Sequence, residues 1–346
     1  MNITEIKDYL KNYDGPQLNI MEVCGTHTAS IAKHGIKTML SDKIRLISGP
    51  GCPVCVTPSA YVDKLIELAK EPGTTVATFG DLIRVPGSSA SLSKAKGEGA
   101  SVAMVYSPYD VIDLAVAKPD ETFVFAAVGF ETTTPVYALL LDEIEKKNIS
   151  NIKLLTALKT MPAVIDLLMT EGCDVDGFLA PGHVCAITGS EIFEPLAKKH
   201  NIPFAVGGFE GEELLIAIYG LVKMIETKDF SVKNYYTSVV ENGRNEAAYK
   251  LIEKYFEISD AAWRGMGVIK NSGMQLKSEY AFFDAGSAGL IQDAHANNGC
   301  KCGEILKGKA QPKDCPLFGK VCTPSNPKGA CMVSTEGGCF YAYTYM

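Results

Sequence analysis

From about Asn19 to Val222 the chain alternates short apolar runs with segments of helical length. The runs are NIMEV, RLIS, TTVATF, SVAMVY, TFVFAAV, IKLLTAL, DGFLAP and IPFAVG, and segments such as Tyr61 to Lys70 and Val136 to Lys147 separate them. Runs this short, rich in Val, Ile and Phe and alternating with helices, predict parallel sheets in an α/β fold. One stretch can be laid over another. LISGPGCPVCVTPSAYVDKLIELAKEPGTTVATFGDL aligns with FLAPGHVCAITGSEIFEPLAKKHNIPFAVGGFEGEEL, placing Pro50-Gly51 on Pro181-Gly182, Cys52 on His183 and Cys55 on Cys185. That likeness predicts two similar α/β units from an internal duplication, at 1–130 and 131–225. From Lys228 to Gly265 the pattern turns helical and polar, and beyond Asn297 the chain becomes rich in Gly, Pro and Cys. The segment 226–346 is therefore predicted as a third, mostly helical and coil domain, its tail held by something other than a hydrophobic core.

Composition narrows the function. The chain has 346 residues, 47% of them hydrophobic, enough for two or three domains. A net charge of −7 and a pI near 5.4 argue against a nucleic-acid surface. The N-terminal MNITEIKDYLKNYDG is charged where an export signal needs an apolar core, and no run is long enough to span a membrane, so a cytosolic protein is expected. In that reducing compartment eleven cysteines point to metal ligands, redox pairs or buried packing rather than disulfide staples.

Six of those cysteines, Cys300, Cys302, Cys315, Cys322, Cys331 and Cys339, lie in the last 47 residues. Structural zinc prefers C-x2–4-C knuckles, and this tail has no C-x2-C. An iron–sulfur cluster tolerates irregular spacing between thiolates on separate loops, and it is the favoured reading. Spacing alone does not say which four of the six would bind it.

The remaining chemistry sits at ends of predicted strands. In EVCGTHTAS, Cys24 ends a run just before a helix, where free amides and the helix dipole favour thiolate, and His27 is close enough in sequence to share a metal. The alternative is a buried cysteine beside a capping Thr26. In GPGCPVCVTPS, Cys52 and Cys55 would lie at a helix start with Thr57 as cap, the setting of a redox dithiol; half a zinc site and plain packing compete with it. Gly129 ends another run, leaving Glu131, Thr132 and Thr133 beside the free amides of a helix starting at Thr134-Pro135. His183 and Cys185 precede Thr188-x-x-Glu191, a capping-box pattern. Parallel sheets would present all these turns along carboxyl edges, where ligands bind.

Taken together, CGTH, GPGCPVC, GFETTTP, PGHVCAITG and the C-x14-C-x6-C-x16-C tail resemble the HypD family of [NiFe]-hydrogenase maturation factors, from Cys24 to Cys339. The resemblance implies two similar α/β domains and a third carrying a [4Fe-4S] cluster, reminiscent of ferredoxin:thioredoxin reductase. It implies a scaffold for the Fe(CN)2CO fragment, with iron shared between Cys24 and a small HypC chaperone and tuned or bound by His27. Cyanide would come from a thiocarboxamide-bearing HypE partner, and the product would serve the hydrogenase large-subunit precursor. The cluster ligands would be Cys300, Cys315, Cys322 and Cys339; the redox pair, Cys52 and Cys55. Glu131, Thr132, Thr133 and His183 would line the cleft and orient the incoming ligand. At Cys185 the family pattern more often has serine. Three rivals are a thiol-disulfide oxidoreductase acting on protein disulfides, a nucleotide-binding enzyme and a transferase with Cys24 as nucleophile. Neither phosphate-loop motif is present to support the second.

Overall fold

The computed structural model describes residues 2–290 and 299–345. All eight apolar runs are strands: β1 (Leu18–Glu22), β2 (Ile44–Ser48), β3 (Thr74–Thr78), β4 (Val102–Met104), β5 (Thr122–Gly129), β6 (Ile152–Lys159), β7 (Gly177–Pro181) and β8 (Phe204–Gly207). Three more follow, β9 (Val232–Asn234), β10 (Phe256–Trp263) and β11 (Gly267–Leu276). A five-stranded sheet has the order β2-β1-β7-β8-β9, and a six-stranded sheet the order β10-β11-β6-β5-β3-β4. Every pairing among β1 to β9 is parallel, as continuous apolar runs require when helices cover both faces.

The sheets do not follow the chain in blocks. Residues 1–130 supply β1 and β2 to one sheet and β3 to β5 to the other, while 131–225 supply β6 to the second sheet and β7 and β8 to the first. The reason lies in the crossings. After β2 the chain runs through the Cys52–Cys55 turn and the helix Ser59–Lys70 into the second sheet, and it returns after the helix Met161–Thr170. Consequently the two stretches that align in sequence differ in connectivity. The first leaves its sheet, whereas β7, its helices and β8 stay in one.

The segment 228–265 departs from its helical expectation. It holds one helix, Glu246–Tyr255, and then β10, which pairs antiparallel with β11. β10 is an outer strand whose Glu257, Ile258 and Asp260 face solvent, so its polar residues hid it from a search for apolar runs. The tail also differs from expectation. Ile305, Leu306, Met332 and Val333 are buried, together with five of the six tail cysteines, in one core that also contains Met21 and Phe178 of the first sheet and Val76 and Val124 of the second. Hydrophobic burial therefore contributes to docking the tail between the sheets.

Candidate functional site

The carboxyl ends of β1, β2, β5, β7 and β8 carry the residues singled out in the sequence. Cys24 is the N-cap of the helix Gly25–Lys33, and its side chain makes no capping bond. Next to it runs the Cys-Pro-Val-Cys turn. Gly25 N–H donates to Gly51 O at 2.9 Å, and a Cβ on Gly51 would stand 2.2 Å from Cys24 N. Only a glycine lets the two cysteine turns approach so closely. On the other side a tail residue closes in: Thr26 donates to Glu336 Oε1 at 3.0 Å instead of capping its helix.

Helix position does not make Cys24 a thiolate. Burial pushes its pKa up to about 12, outweighing the backbone amides of Thr26 and His27 that pull it down. A bound metal cation is what would reverse that balance. Glu22, two residues earlier, is buried inside an apolar strand, and burial raises it to about 8. Its carboxylate accepts the Cys24 N–H at 3.1 Å and the Thr28 hydroxyl.

His27 is fully buried. Its Nε2 lies 3.2 Å from Gly207 O and 3.1 Å from Gly208 O, and since carbonyls only accept, Nε2 carries the proton. Nδ1 is then a bare lone pair, buried and without a partner, and burial lowers the ring pKa to about 4. A buried acceptor in that state lacks a donor or a metal. Phe209 holds this ring in place: its centroid is 4.7 Å from His27 and 3.8 Å from His183, which stacks on it at the surface.

On the other sheet, Glu131 follows β5. Its Oε1 accepts Met161 N–H at 2.7 Å at the start of the helix Met161–Thr170, while Oε2 is buried with no partner. Burial raises this carboxyl to about 7. Its charge reaches Cys185, on the helix Gly182–Thr188, and Cys185 in turn feels Cys24. Thr132 and Thr133, 3.4 Å apart through their hydroxyls, sit on the same turn as Glu131. The expected capping box at Thr188 is not formed, because Thr188 closes a helix and its hydroxyl donates back to Val184 O at 3.1 Å.

The Cys52–Cys55 turn also corrects an expectation. The helix begins at Ser59, four residues beyond Cys55, and the Thr57 hydroxyl donates to Pro53 O at 2.8 Å rather than capping. Both thiols are buried, and burial raises them instead of lowering them. Cys55 N–H donates to Cys52 Sγ at 3.2 Å, and the Cys52 thiol donates to Ser334 Oγ at 3.3 Å. Cys55 lies close enough to Cys331 for the two thiols to influence each other's ionisation, and the Cys331 sulfur is 3.0 Å from that of Cys302. Arg264 buttresses this turn: it is buried, its Nε donates to Thr57 O at 2.6 Å, and its charge reaches Cys302.

Cys300, Cys302, Cys315, Cys322, Cys331 and Cys339 line one small apolar cavity. No group of three or more His, Cys, Asp or Glu among the described residues is drawn together to hold a single metal ion. A cubane cluster makes a different demand, because each thiolate binds its own iron and the sulfurs surround the cluster rather than converge. Cys300 and Cys339 both lie near enough to Cys315 and Cys322 to feel their charge, as that demand requires, and Cys302 stands equally within reach of the two. None of the eleven cysteines is in a disulfide.

Several contributors escaped sequence reasoning. Glu22 carried a signal, a carboxylate inside an apolar strand. Phe209 carried one too, since Gly-Phe-Glu occurs both at Gly129–Glu131 and at Gly208–Glu210. Ser334 and Glu336 lie in coil, where no period marks them.

The sequence model described as HypD: Hydrogenase formation hypA family matches residues 2–346. A hydrogenase maturation factor HypD from Azotobacter vinelandii is 39% identical over 339 residues, covering 95% of this chain and 89% of that protein. One from Escherichia coli is 40% identical over 332 residues, covering 95% and 89%. With a match along the whole chain and relatives of near-equal length, this protein belongs to the HypD family of hydrogenase maturation factors.

Proposed function

We propose that the chain is a cytoplasmic scaffold and redox protein on which the Fe(CN)2CO centre of [NiFe]-hydrogenase is assembled. Cys24, with the bare Nδ1 of His27, holds the iron together with a small HypC-type chaperone, and cyanide arrives from a thiocarboxamide-bearing HypE-type partner. Soft thiolate and imidazole suit a low-spin iron carrying cyanide and carbonyl. The cysteine-lined cavity holds a [4Fe-4S] cluster through Cys300, Cys315, Cys322 and Cys339, which supplies single electrons when bound.

The protein's own residues do the rest. Cyanide transfer from a thiocyanate consumes two electrons: R–S–C≡N plus the Cys52 and Cys55 thiols gives R–SH, a Cys52–Cys55 disulfide and HCN, which binds the iron as cyanide and releases its proton. Glu131, with its free Oε2 and a pKa near neutrality, accepts that proton, and Thr132, Thr133 and His183 orient the incoming group. Cys302 and Cys331 stand between the cavity and Cys55 as a second dithiol that returns Cys52–Cys55 to the reduced state.

One observation carries this reading: the Cys24 turn touches the Cys52–Cys55 turn, and Cys55 lies close to the pair that lines the cysteine cavity. The rival of a general disulfide reductase fits less well, because Cys52 and Cys55 are 3% and 0% exposed and no protein disulfide reaches them. The test is anaerobic co-purification with the small chaperone, followed by infrared spectroscopy of the cyanide and carbonyl stretches. The wild type gives these bands and Cys24→Ala lacks them; bands of full strength in the variant refute Cys24 as the anchor.

A further inference from the structure

One cavity has no cysteine among the residues that line it. It measures about 570 Å³ and is bounded by β2, the helix Gly25–Lys33 and the C-terminal helix Gly338–Thr344. β2 is the end strand of its sheet. Leu18 N–H donates to Lys43 O and Gly49 N–H to Glu22 O, so the odd-numbered residues of this strand bond to β1 and the even-numbered ones face outward. Ile44 N–H is used by Ser41 O at 2.9 Å. That leaves the N–H and C=O of Leu46 and the N–H of Ser48 with no backbone partner among the described residues, half-buried along the cavity wall.

Folded proteins normally cover or blunt such an edge. Here the groove beside it carries Lys37, Arg45 and Lys313, and none of the three has an ion-pair or hydrogen-bond partner for its side chain among the described residues. The carboxylates that line the same groove are Asp42, at the rim, and Glu22, which is buried and already bonded to Thr28 and the Cys24 amide. On a chain of net charge −7, three free cations beside an open strand edge reverse the prevailing sign.

We infer that this groove binds an extended, acidic segment of a partner protein, which adds to the sheet as a strand beside β2 and sets its carboxylates against Lys37, Arg45 and Lys313. Main-chain bonds to Leu46 and Ser48 give affinity, and the cations select the charge. Five residues of β2 span about 17 Å, so a docked strand of about five residues is held along its length. Glu22 joins the groove wall to the Cys24 amide, so a partner docked there stands beside the iron site. The inference rests on the groove alone and does not need the iron reading.

The probe is a fluorescein-labelled peptide of about seven residues alternating valine and glutamate, read by anisotropy on the full chain. A lysine counterpart and two versions N-methylated on alternate amides serve as comparisons. The acidic peptide binds, more weakly as salt rises from roughly 0.05 to 0.3 M, and the lysine peptide does not. One N-methylated version loses about tenfold in affinity and the other keeps it, because a strand offers its neighbour every second amide. Lys37→Glu with Arg45→Glu and Lys313→Glu loses about tenfold as well, and the wild-type amides of Leu46 and Ser48 exchange more slowly with peptide bound. Absence of binding, equal binding of both N-methylated forms or indifference to the charge reversals overturns the proposal. So does sedimentation showing that a second copy of the chain already occupies the edge.

Discussion

The two ends of the proposed relay are held in different ways. Cys24, His27, Glu131 and His183 each stand within a few residues of a parallel strand end, fixed by backbone ladders and by helices that begin there. Cys300 to Cys339 are joined by five-residue and shorter helical turns and by bends, and what they share is a cavity and a place in the core. A strand-end site keeps its geometry because hundreds of atoms elsewhere fix the sheet. A tail of this kind draws a large share of its order from whatever its sulfurs bind.

Removing that group is the sharpest way to separate the two. Stripping iron and sulfide with a chelator should cost the tail several kcal/mol of local stability, so that amides of 299–345 exchange at least tenfold faster while those of β1, β5 and β7 hold their protection. Uniform loosening of both regions would erase the contrast. A finer cut uses single variants: Cys315→Ala lowers bound iron and labile sulfide about tenfold, and Cys331→Ala leaves them near wild type. Equal losses in both would undo the division of the six cysteines into four ligands and a dithiol.

The strand-end half has its own weak point. An Ala at Gly51 sets its Cβ 2.2 Å from Cys24 N and 2.4 Å from Val23 C, backbone against backbone, with no flexible side chain to give way. Gly51→Ala should cost roughly 4 kcal/mol in urea unfolding and part the two cysteine turns. Gly97→Ala is the control. A Cβ there meets nothing within 4 Å, at the end of the helix Leu92–Gly97, and the change should stabilise by about 0.5 kcal/mol. If both changes cost the same, close approach at Gly51 is not what joins the turns.

The same contrast decides what could be read from sequence. Runs such as TFVFAAV and DGFLAP became β5 and β7 because a strand buried on both faces must be apolar throughout, and that is visible in one chain. β10 was invisible because its solvent-facing residues break the run. Sheet membership was hidden as well. Two stretches with the same strand-turn-helix-strand pattern lead to different sheets, since long-range pairing depends on packing that no local pattern encodes. Within the site, Cys24, Cys52 and Cys55 stood out by residue type and turn. Their ionisation was misjudged, because free amides are a local feature and desolvation is a property of the finished core. The role open to Cys302 and Cys331 could be read only once their sulfurs were seen 3.0 Å apart.

Glu131 offers the smallest and most quantitative test, because one of its oxygens is anchored by the helix at Met161 and the other has no partner. Its carboxyl is raised by burial from the ordinary 4.5 to about 7. A group raised in this way makes its full contribution to stability below pH 4.5, where folded and unfolded chains are both protonated. The contribution is lost as pH climbs through 7, because the unfolded chain ionises first. The shift corresponds to roughly 3 kcal/mol across that window. Glu131→Gln keeps an oxygen for Met161 N–H but cannot ionise, so its stability should fall less than the wild type's between pH 5 and pH 8, by about that amount. Parallel pH profiles from denaturant titration would mean that Glu131 ionises in the folded chain at its ordinary pKa, and a carboxylate of that kind is too weak a base near neutrality to keep the proton released with cyanide.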